Sequence, residues 1–142
     1  MKPGAWAVNT VIHAEADANG VFTNMPAADT FLFNSARHIQ LLDLNGMTFV
    51  RLKVNKQGTA GQAGAKLTLK YAFSYSETAS NYSDIGTSAV EVAIDAVNTY
   101  LDSGWIELTD EAKSGDVYIA VVGSGGNGVL DPAFGTISMA FV

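Results

Sequence analysis

The sequence predicts an all-β fold, a single-domain, jelly-roll-like β-sandwich of about eight to ten short strands. One observation behind this is the alternation in residues 65–75, where every second residue is large and apolar. Because successive side chains of a strand point to opposite faces, this segment is predicted to be a central strand with one buried face. The five residues expected on that face are Leu67, Leu69, Tyr71, Phe73 and Tyr75. The other observation is that short apolar runs recur between glycine and asparagine turns along the whole chain.

The composition limits the classes of function. The chain has 142 residues, the size of one domain, and no cysteine, which excludes disulfides and thiolate metal sites. Its net charge of −6 argues against a general affinity for nucleic acid or for anionic membranes, so neither is expected as a partner. Only 15% of residues are charged against 48% hydrophobic, which indicates that part of the surface is buried against a partner.

Residues 1–18 are predicted to be an N-terminal arm or a first strand, and residues 19–142 the sandwich domain. Trp6, Val8 and Ile12 share one parity, and the β-branched residues in this segment disfavour a helix. The segment has neither the charge pattern nor the apolar run of a signal peptide, and no apolar stretch approaches the ~20 residues that span a membrane. Synthesis in a cytoplasm without translocation is therefore expected.

The first half of the domain contains several short apolar runs bounded by turn signals. Asn19-Gly20 and Asn45-Gly46 are dipeptides typical of hairpin turns. Strands are predicted at 21–25, 39–44 and 48–54, with a further apolar cluster at 31–33 and a glycine-containing loop at 57–64.

Residues 88–101 fit two structures. Ser88 with Glu91 matches a capping box followed by residues at helical spacing, whereas residues 89–95 also alternate as a strand would. The surrounding strands favour the strand. Beyond it, residues 109–115 are expected to form one helical turn ended by Gly115, and 117–121 and 137–141 to form strands on either side of a loop at 123–128.

No catalytic or metal site emerges from the residues. His13 and His38 are the only histidines and have no paired ligand spacing, and the glycine run at 123–128 lacks the lysine of a phosphate loop and the pattern of a nucleophile elbow. That run with Asp131 offers too few oxygens for a strong calcium site, so turn glycines are the favoured interpretation. The carboxylates lie in different loops, and no spacing selects a pair for glycoside hydrolysis. No cofactor is expected.

Four aromatic residues are candidates for stacking on sugar rings in a carbohydrate-binding module. They are Trp6, Tyr82, Tyr100 and Trp105. For Trp105, which follows Gly104 at a predicted strand start, a structural role at the edge of the core is the alternative.

The second half of the chain resembles a β-module that recurs in structural proteins of tailed bacteriophages. The resemblance is carried by four stretches, at residues 51–54 (RLKV), 64–76 (GAKLTLKYAFSYS), 104–135 (GWIELTDEAKSGDVYIAVVGSGGNGVLDPAFG) and 136–141 (TISMAF). It departs at 77–85, where Tyr82 and Ile85 stand in place of a glycine-rich turn followed by tryptophan.

The resemblance implies a capsid decoration (cement) protein. Such a protein has no enzymatic activity, occupies the exterior of the phage head in many copies, commonly as a homotrimer, and stabilises the shell by binding the major capsid protein. Within this hypothesis, Trp6, Val8 and Ile12 are the candidate residues for contacts with the capsid or with other subunits. The alternative is a carbohydrate-binding or receptor-binding β-module of a tail tip or fibre, with Trp105, Tyr82 and Tyr100 as the stacking residues. An enzyme with a jelly-roll fold is the least favoured hypothesis.

Overall fold

The computed structural model describes residues 8–13, 20–32, 39–98 and 100–142. These residues form two antiparallel sheets and, apart from two short 3₁₀ turns, contain no helix. The all-β prediction is confirmed. The first sheet contains β1 (Val8–His13), β4 (Phe49–Thr59), β8 (Tyr100–Asp102), β9 (Ile106–Glu107) and β11 (Ala133–Phe141). The second sheet contains β2 (Thr30–Phe31), β3 (Ile39–Asp43), β5 (Lys66–Ala72), β6 (Ser83–Asp84), β7 (Glu91–Ala93) and β10 (Asp116–Ser124).

The strand order is that of a jelly roll. In the first sheet the order is β1-β11-β4, with β8 and β9 both pairing the far edge of β4. In the second sheet β2 and β3 pair one edge of β10, β5 pairs the other, and β6 and β7 pair the far edge of β5. Three pairs of short strands, β2 with β3, β6 with β7 and β8 with β9, each share one edge of a neighbour, and each pair counts as one position. When the resulting eight positions are numbered along the chain, their order is 1-8-3-6 in the first sheet and 2-7-4-5 in the second. The eleven strands exceed the predicted eight to ten because three of these positions are split.

The core lies between the inner faces of the two sheets. β4 and β11 run antiparallel with Val50 opposite Phe141, and Leu52 opposite Met139. These side chains pack with Leu67, Leu69 and Ile119 of the second sheet, and almost all are fully buried. Alternation of apolar residues at period two thus produces one continuous apolar layer.

A second, smaller apolar cluster covers the outer side of the second sheet. It lies beneath the loop that follows β5, which contains the 3₁₀ turn Ala79–Asn81. Its buried members are Phe31, Ala79, Tyr82, Ala120 and Val122. β10 is therefore buried on both faces, which explains its nearly continuous apolar sequence.

The central strand predicted at residues 65–75 is shorter than expected. β5 is central in its sheet, between β10 and the β6/β7 edge, but it ends at Ala72. Leu67, Leu69 and Tyr71 are buried as expected, whereas Phe73 and Tyr75 are 59% and 55% exposed. The prediction of five buried groups was wrong for these two residues, because the chain leaves the sheet before it reaches them.

Other boundaries also differ from the predictions. β4 continues to Thr59, into the predicted loop at 57–64, because its last residues pair with the beginning of β11. Residues 21–25 form only an isolated bridge at Val21 instead of a strand. The ambiguous segment 88–101 contains the strand β7 and no helix, as favoured. Gly115 ends a 3₁₀ turn at Ala112–Ser114, as predicted.

The predicted arm or first strand falls partly within the described structure. Val8 and Ile12 lie in β1, which pairs antiparallel with β11 so that Val8 is opposite Phe141. Trp6, like the remainder of residues 1–7 and residues 14–18, lies outside the described residues. So do Phe33 and His38.

Candidate binding surfaces

The outer face of the first sheet carries exposed aromatic residues around an ion pair. Phe49, Tyr100 and Trp105 are 40%, 53% and 43% exposed, respectively, although each is large and apolar. They surround Arg51 and Asp102, which lie on the neighbouring strands β4 and β8. We call these five residues the Trp105 surface.

Local backbone geometry explains the position of Trp105. Between β8 and β9, Ser103 forms two hydrogen bonds with Leu52 of β4: the Leu52 N–H donates to Ser103 Oγ at 2.8 Å and the Ser103 N–H donates to the Leu52 carbonyl at 2.9 Å. The next residue, Gly104, has a φ of 73°, which favours glycine. This irregularity brings the ring of Trp105 alongside Arg51 of the adjacent strand, with 5.1 Å between the guanidinium carbon and the ring centroid.

Asp102 links the members of the surface. Its carboxylate accepts hydrogen bonds from Arg51 Nε at 3.1 Å, from Arg51 Nη2, and from the Tyr100 hydroxyl at 3.1 Å. The Gly104 N–H donates to the same carboxylate at 2.9 Å. Because the ion pair is bidentate and both side chains are about three-quarters buried, it holds the guanidinium over the Trp105 ring. The result is an exposed surface that combines aromatic area with a planar cation.

The second site is an open pocket where β5 ends. It has a volume of about 510 Å³ and is lined mainly by Tyr71, Phe73, Tyr75, Ser76, Asn81 and Ser83. Phe73 packs edge-to-face against Tyr71, with 5.5 Å between ring centroids, and Tyr75 packs similarly against Tyr118 of β10, at 5.7 Å. Each exposed ring is therefore oriented by a ring that belongs to the sheet. We call this site the Tyr75 pocket.

The wall of the Tyr75 pocket is fixed from beneath by Tyr82. The Tyr82 hydroxyl donates to the Ser76 carbonyl and accepts from the Ser76 N–H, while its ring packs edge-to-face on Phe31. Ser76 Oγ in turn accepts from Asn81 Nδ2 at 2.9 Å and from the Thr78 N–H at 3.0 Å. The loop is thus held by side-chain contacts and not by a sheet ladder.

Two tyrosines of this region have raised pKa values. Burial of the Tyr82 ring raises the pKa of its hydroxyl above 10.0, although the hydrogen bond to the Ser76 backbone opposes the shift. The pKa of the exposed Tyr75 is also raised, chiefly because its hydroxyl donates a hydrogen bond to the Glu77 carboxylate. Both hydroxyls are consequently protonated donors at neutral pH.

The structure separates the three predicted stacking residues. Trp105 and Tyr100 lie together on the Trp105 surface, as the carbohydrate hypothesis requires. Tyr82 belongs to the outer cluster of the second sheet and is only 4% exposed, so the prediction that it stacks on a ligand was wrong. The ring that packs on it, that of Phe31, is contributed by a distant segment and leaves no local signal.

Sequence reasoning missed the roles of Arg51, Asp102, Phe73 and Tyr75. Tyr100 and Asp102 share a parity, which was a usable signal that both face outward from β8. For Phe73 and Tyr75 the usable signal was the polar run after residue 75, which indicates that a strand ends nearby, although β5 ends earlier, at Ala72. Neither signal identifies the partner strand.

Three carboxylates at the second sheet, those of Asp29, Asp84 and Glu91, are paired with lysines. On its outer face Lys70 Nζ lies 3.2 Å from Asp29 and 4.0 Å from Asp84, and Lys66 Nζ lies 3.2 Å from Glu91. They border a pocket of about 230 Å³. Partly exposed ion pairs of this kind form an ordinary solvated face.

The glycine-rich loop uses its oxygens to hold its own backbone. Asn127 Oδ1 accepts from the N–H groups of Val129 and Leu130, and Asp131 Oδ1 accepts from the Asn24 N–H at 2.7 Å. These contacts agree with the interpretation of residues 125–131 as a turn. Across the described ranges, no group of three or more histidine or carboxylate side chains is arranged to hold a metal ion.

Within the part of the chain that the structure describes, no helix has the length and apolar character needed to cross a membrane. Comparison of the sequence with protein-family models and with curated proteins finds no match. Comparison of the fold with solved structures finds none either.

Proposed function

We propose that this protein is a noncatalytic structural protein of a virion, a capsid decoration protein that binds the outer surface of a phage head and stabilises it. The proposal rests on the resemblance of residues 51–142 to the phage β-module and on one structural observation. That observation is the Trp105 surface, where tryptophan, tyrosine and arginine are held together on the outer face of the first sheet.

This composition suits a protein partner. Tryptophan, tyrosine and arginine are the residues that most often dominate the binding energy of protein interfaces. Arg51 is already oriented by Asp102, so little side-chain freedom remains to be lost on association.

The partners in this proposal are the major capsid protein and further copies of the chain, as a homotrimer. The protein would be made in the host cytoplasm and reside on the capsid exterior. A shell presents many equivalent sites, so modest contacts at each copy of a linked trimer combine into tight attachment. Val8 and Ile12 of β1 stay candidate contact residues alongside Trp6.

The test uses purified particles of the virus that encodes the chain. The copy number of the chain relative to the major capsid protein is measured by quantitative mass spectrometry. The expected result is a ratio close to one or to a simple fraction of it. A handful of copies per particle would favour the carbohydrate- or receptor-binding alternative at a tail tip or fibre, and absence from particles would overturn both.

A binding assay then tests the surface itself. Particles stripped of the protein are incubated with the purified chain and pelleted. Trp105→Ala and Arg51→Met are expected to weaken attachment, whereas Leu130→Ala, which truncates an exposed apolar residue away from the Trp105 surface, is expected to leave it unchanged. Equal attachment of all four proteins would exclude the Trp105 surface as the contact.

A further inference from the structure

We propose that the Tyr75 pocket is a binding site for a neutral saccharide, separate from the surface that attaches the protein to a shell. The pocket is concave and its volume of about 510 Å³ falls within the range of small-molecule sites. It lies where β5 leaves the second sheet, whereas the Trp105 surface belongs to the first. The two sites therefore need not compete.

The aromatic residues of the pocket provide apolar faces for sugar rings. Phe73 and Tyr75 are more than half exposed, although the alternation of β5 would have buried them had the strand continued. Their edge-to-face contacts with Tyr71 and Tyr118 hold them in place without covering them. Exposed rings that are held in this way provide large contact area at low entropic cost, and the C–H groups of a pyranose pack on such faces.

The polar residues of the pocket complement hydroxyl groups. Ser76, Asn81 and Ser83 line it together with the aromatic rings. Asn81 donates to Ser76 Oγ through its amide nitrogen, while its amide oxygen accepts no hydrogen bond from the described residues. That oxygen is an acceptor for a sugar hydroxyl, and the serine hydroxyls both donate and accept.

The charge of the pocket selects against anionic sugars. None of its lining residues is charged, and the Glu77 carboxylate accepts the hydrogen bond of the Tyr75 hydroxyl. A uronic or sialic acid would bring a carboxylate towards this negative charge, and no cation is among the lining residues to compensate it. Neutral hexoses and N-acetylhexosamines are the ligands that fit.

The pocket is also formed before any ligand binds. Tyr82 fixes the Ser76 backbone, and Ser76 fixes both Asn81 and the Thr78 N–H. A loop that was ordered only by its ligand would forfeit part of the binding energy.

The experiment uses the full chain labelled with ¹⁵N and titrated with cellobiose, maltose, lactose and N,N′-diacetylchitobiose. At least one of these is expected to give saturable shift changes in the amides of residues 72–76 and 81–83. The charged probe is 3′-sialyllactose, which is expected to give smaller changes than lactose. No saturable change with any neutral sugar, or changes centred on Trp105, would overturn the proposal, as would stronger binding of the sialylated sugar.

Matched variants complete the test. Phe73→Ala and Tyr75→Ala should each weaken binding roughly tenfold, because each removes one stacking face. Both residues are exposed, so the variants are expected to fold, which the amide spectrum of each reports directly. Val129→Ala, which truncates an exposed residue outside the pocket, should bind like the parent.

Two further outcomes would contradict the proposal. Unchanged affinity of both aromatic variants would show that the sugar binds elsewhere. Shift changes in the pocket that depend on protein concentration without sugar would assign it to a second copy of the chain. Neither result bears on attachment to a shell, which the particle assay measures separately.

Discussion

Tyr82 and Ser76 are joined by two hydrogen bonds through a single hydroxyl group, which donates to the Ser76 carbonyl at 3.0 Å and accepts from the Ser76 N–H at 3.3 Å. The Tyr82 ring is buried in the outer cluster of the second sheet, whereas Ser76 lines the Tyr75 pocket. This contact connects the packing of the sheet to the shape of the pocket.

Tyr82→Phe is expected to destabilise the protein by about 1 to 2 kcal/mol. The ring still fills its position, but the hydroxyl that satisfies both backbone groups of Ser76 is lost. Urea unfolding of parent and variant provides the measurement. Tyr100→Phe is the control, since its hydroxyl is exposed, and it is expected to change stability by less than about 0.5 kcal/mol. A larger loss in the control than in Tyr82→Phe would contradict the role given to this contact.

Stability is expected to fall at alkaline pH. The pKa of Tyr82 is raised on folding by burial, so the folded state holds this proton more tightly than the unfolded state does. The contribution is fully present below the unfolded pKa of about 10 and is lost as pH rises through the higher folded value. Thermal melts between neutral pH and about pH 11 measure it. If Tyr82→Phe loses stability as steeply as the parent above pH 10, Tyr82 is not the group responsible.

Arg51 and Trp105 are expected to be energetically coupled. The guanidinium lies over the ring at 5.1 Å and is held there by Asp102. A double-mutant cycle with Arg51→Met and Trp105→Ala should give a coupling of about 0.5 to 1 kcal/mol in unfolding free energy. Strict additivity of the two substitutions would mean that the contact contributes nothing. A second cycle, which combines Trp105→Ala with Lys53→Met, tests another cation of the same strand for comparison.

Two glycines of one turn should respond differently to alanine. A Cβ on Gly126 would overlap the Met25 carbonyl oxygen, a backbone atom that cannot move aside easily, whereas Gly128 has open space but a φ of 79°. Gly126→Ala is expected to cost about 3 kcal/mol and Gly128→Ala about 1 kcal/mol. Chemical denaturation of both variants measures the difference. Equal costs would show that the turn rearranges.

Two truncations separate the N-terminal residues that pair in the sheet from those that precede it. Deleting residues 1–7 leaves β1 intact and, under the proposed function, is expected to preserve folding but reduce capsid attachment. Deleting residues 1–18 also removes β1 and its ladder with β11, so a further loss of about 2 to 3 kcal/mol in unfolding free energy is expected. Circular dichroism melts and particle pelleting measure the two effects. Full attachment of the protein that lacks residues 1–7 would exclude these residues as a contact.

The sequence predicts those parts of the fold that depend on local alternation. A strand is found at residues 137–141, where it was expected, because period-two alternation is a property of the strand itself, although β11 begins earlier, at Ala133. The end of β5 was misplaced because Phe73 and Tyr75 continue the alternation after the neighbouring strands have stopped pairing. Strand termination is decided by the partner strand, and the alternation contains no information about it.

The candidate sites were less predictable than the fold for the same reason. Trp105 and Tyr100 were singled out by residue type, but the ion pair between them depends on the register of β4 with β8. Tyr82 was likewise selected as a stacking residue by residue type. Its burial is produced by Phe31, some fifty residues earlier in the chain, which pairs through β2 with β10.

The positions of β10 and β11 have a consequence for how the chain acquires its structure. These two strands occupy inner positions of the two sheets, and β1, β2, β3, β4 and β5 all pair with one or the other. In a nascent chain that has been synthesised only as far as residue 115, the strands that pair with β10 and β11 therefore lack these partners. Neither sheet can close until β10 and β11 have been synthesised. Folding of this domain is expected to be limited by long-range strand pairing and to be slow relative to that of helical proteins of similar length.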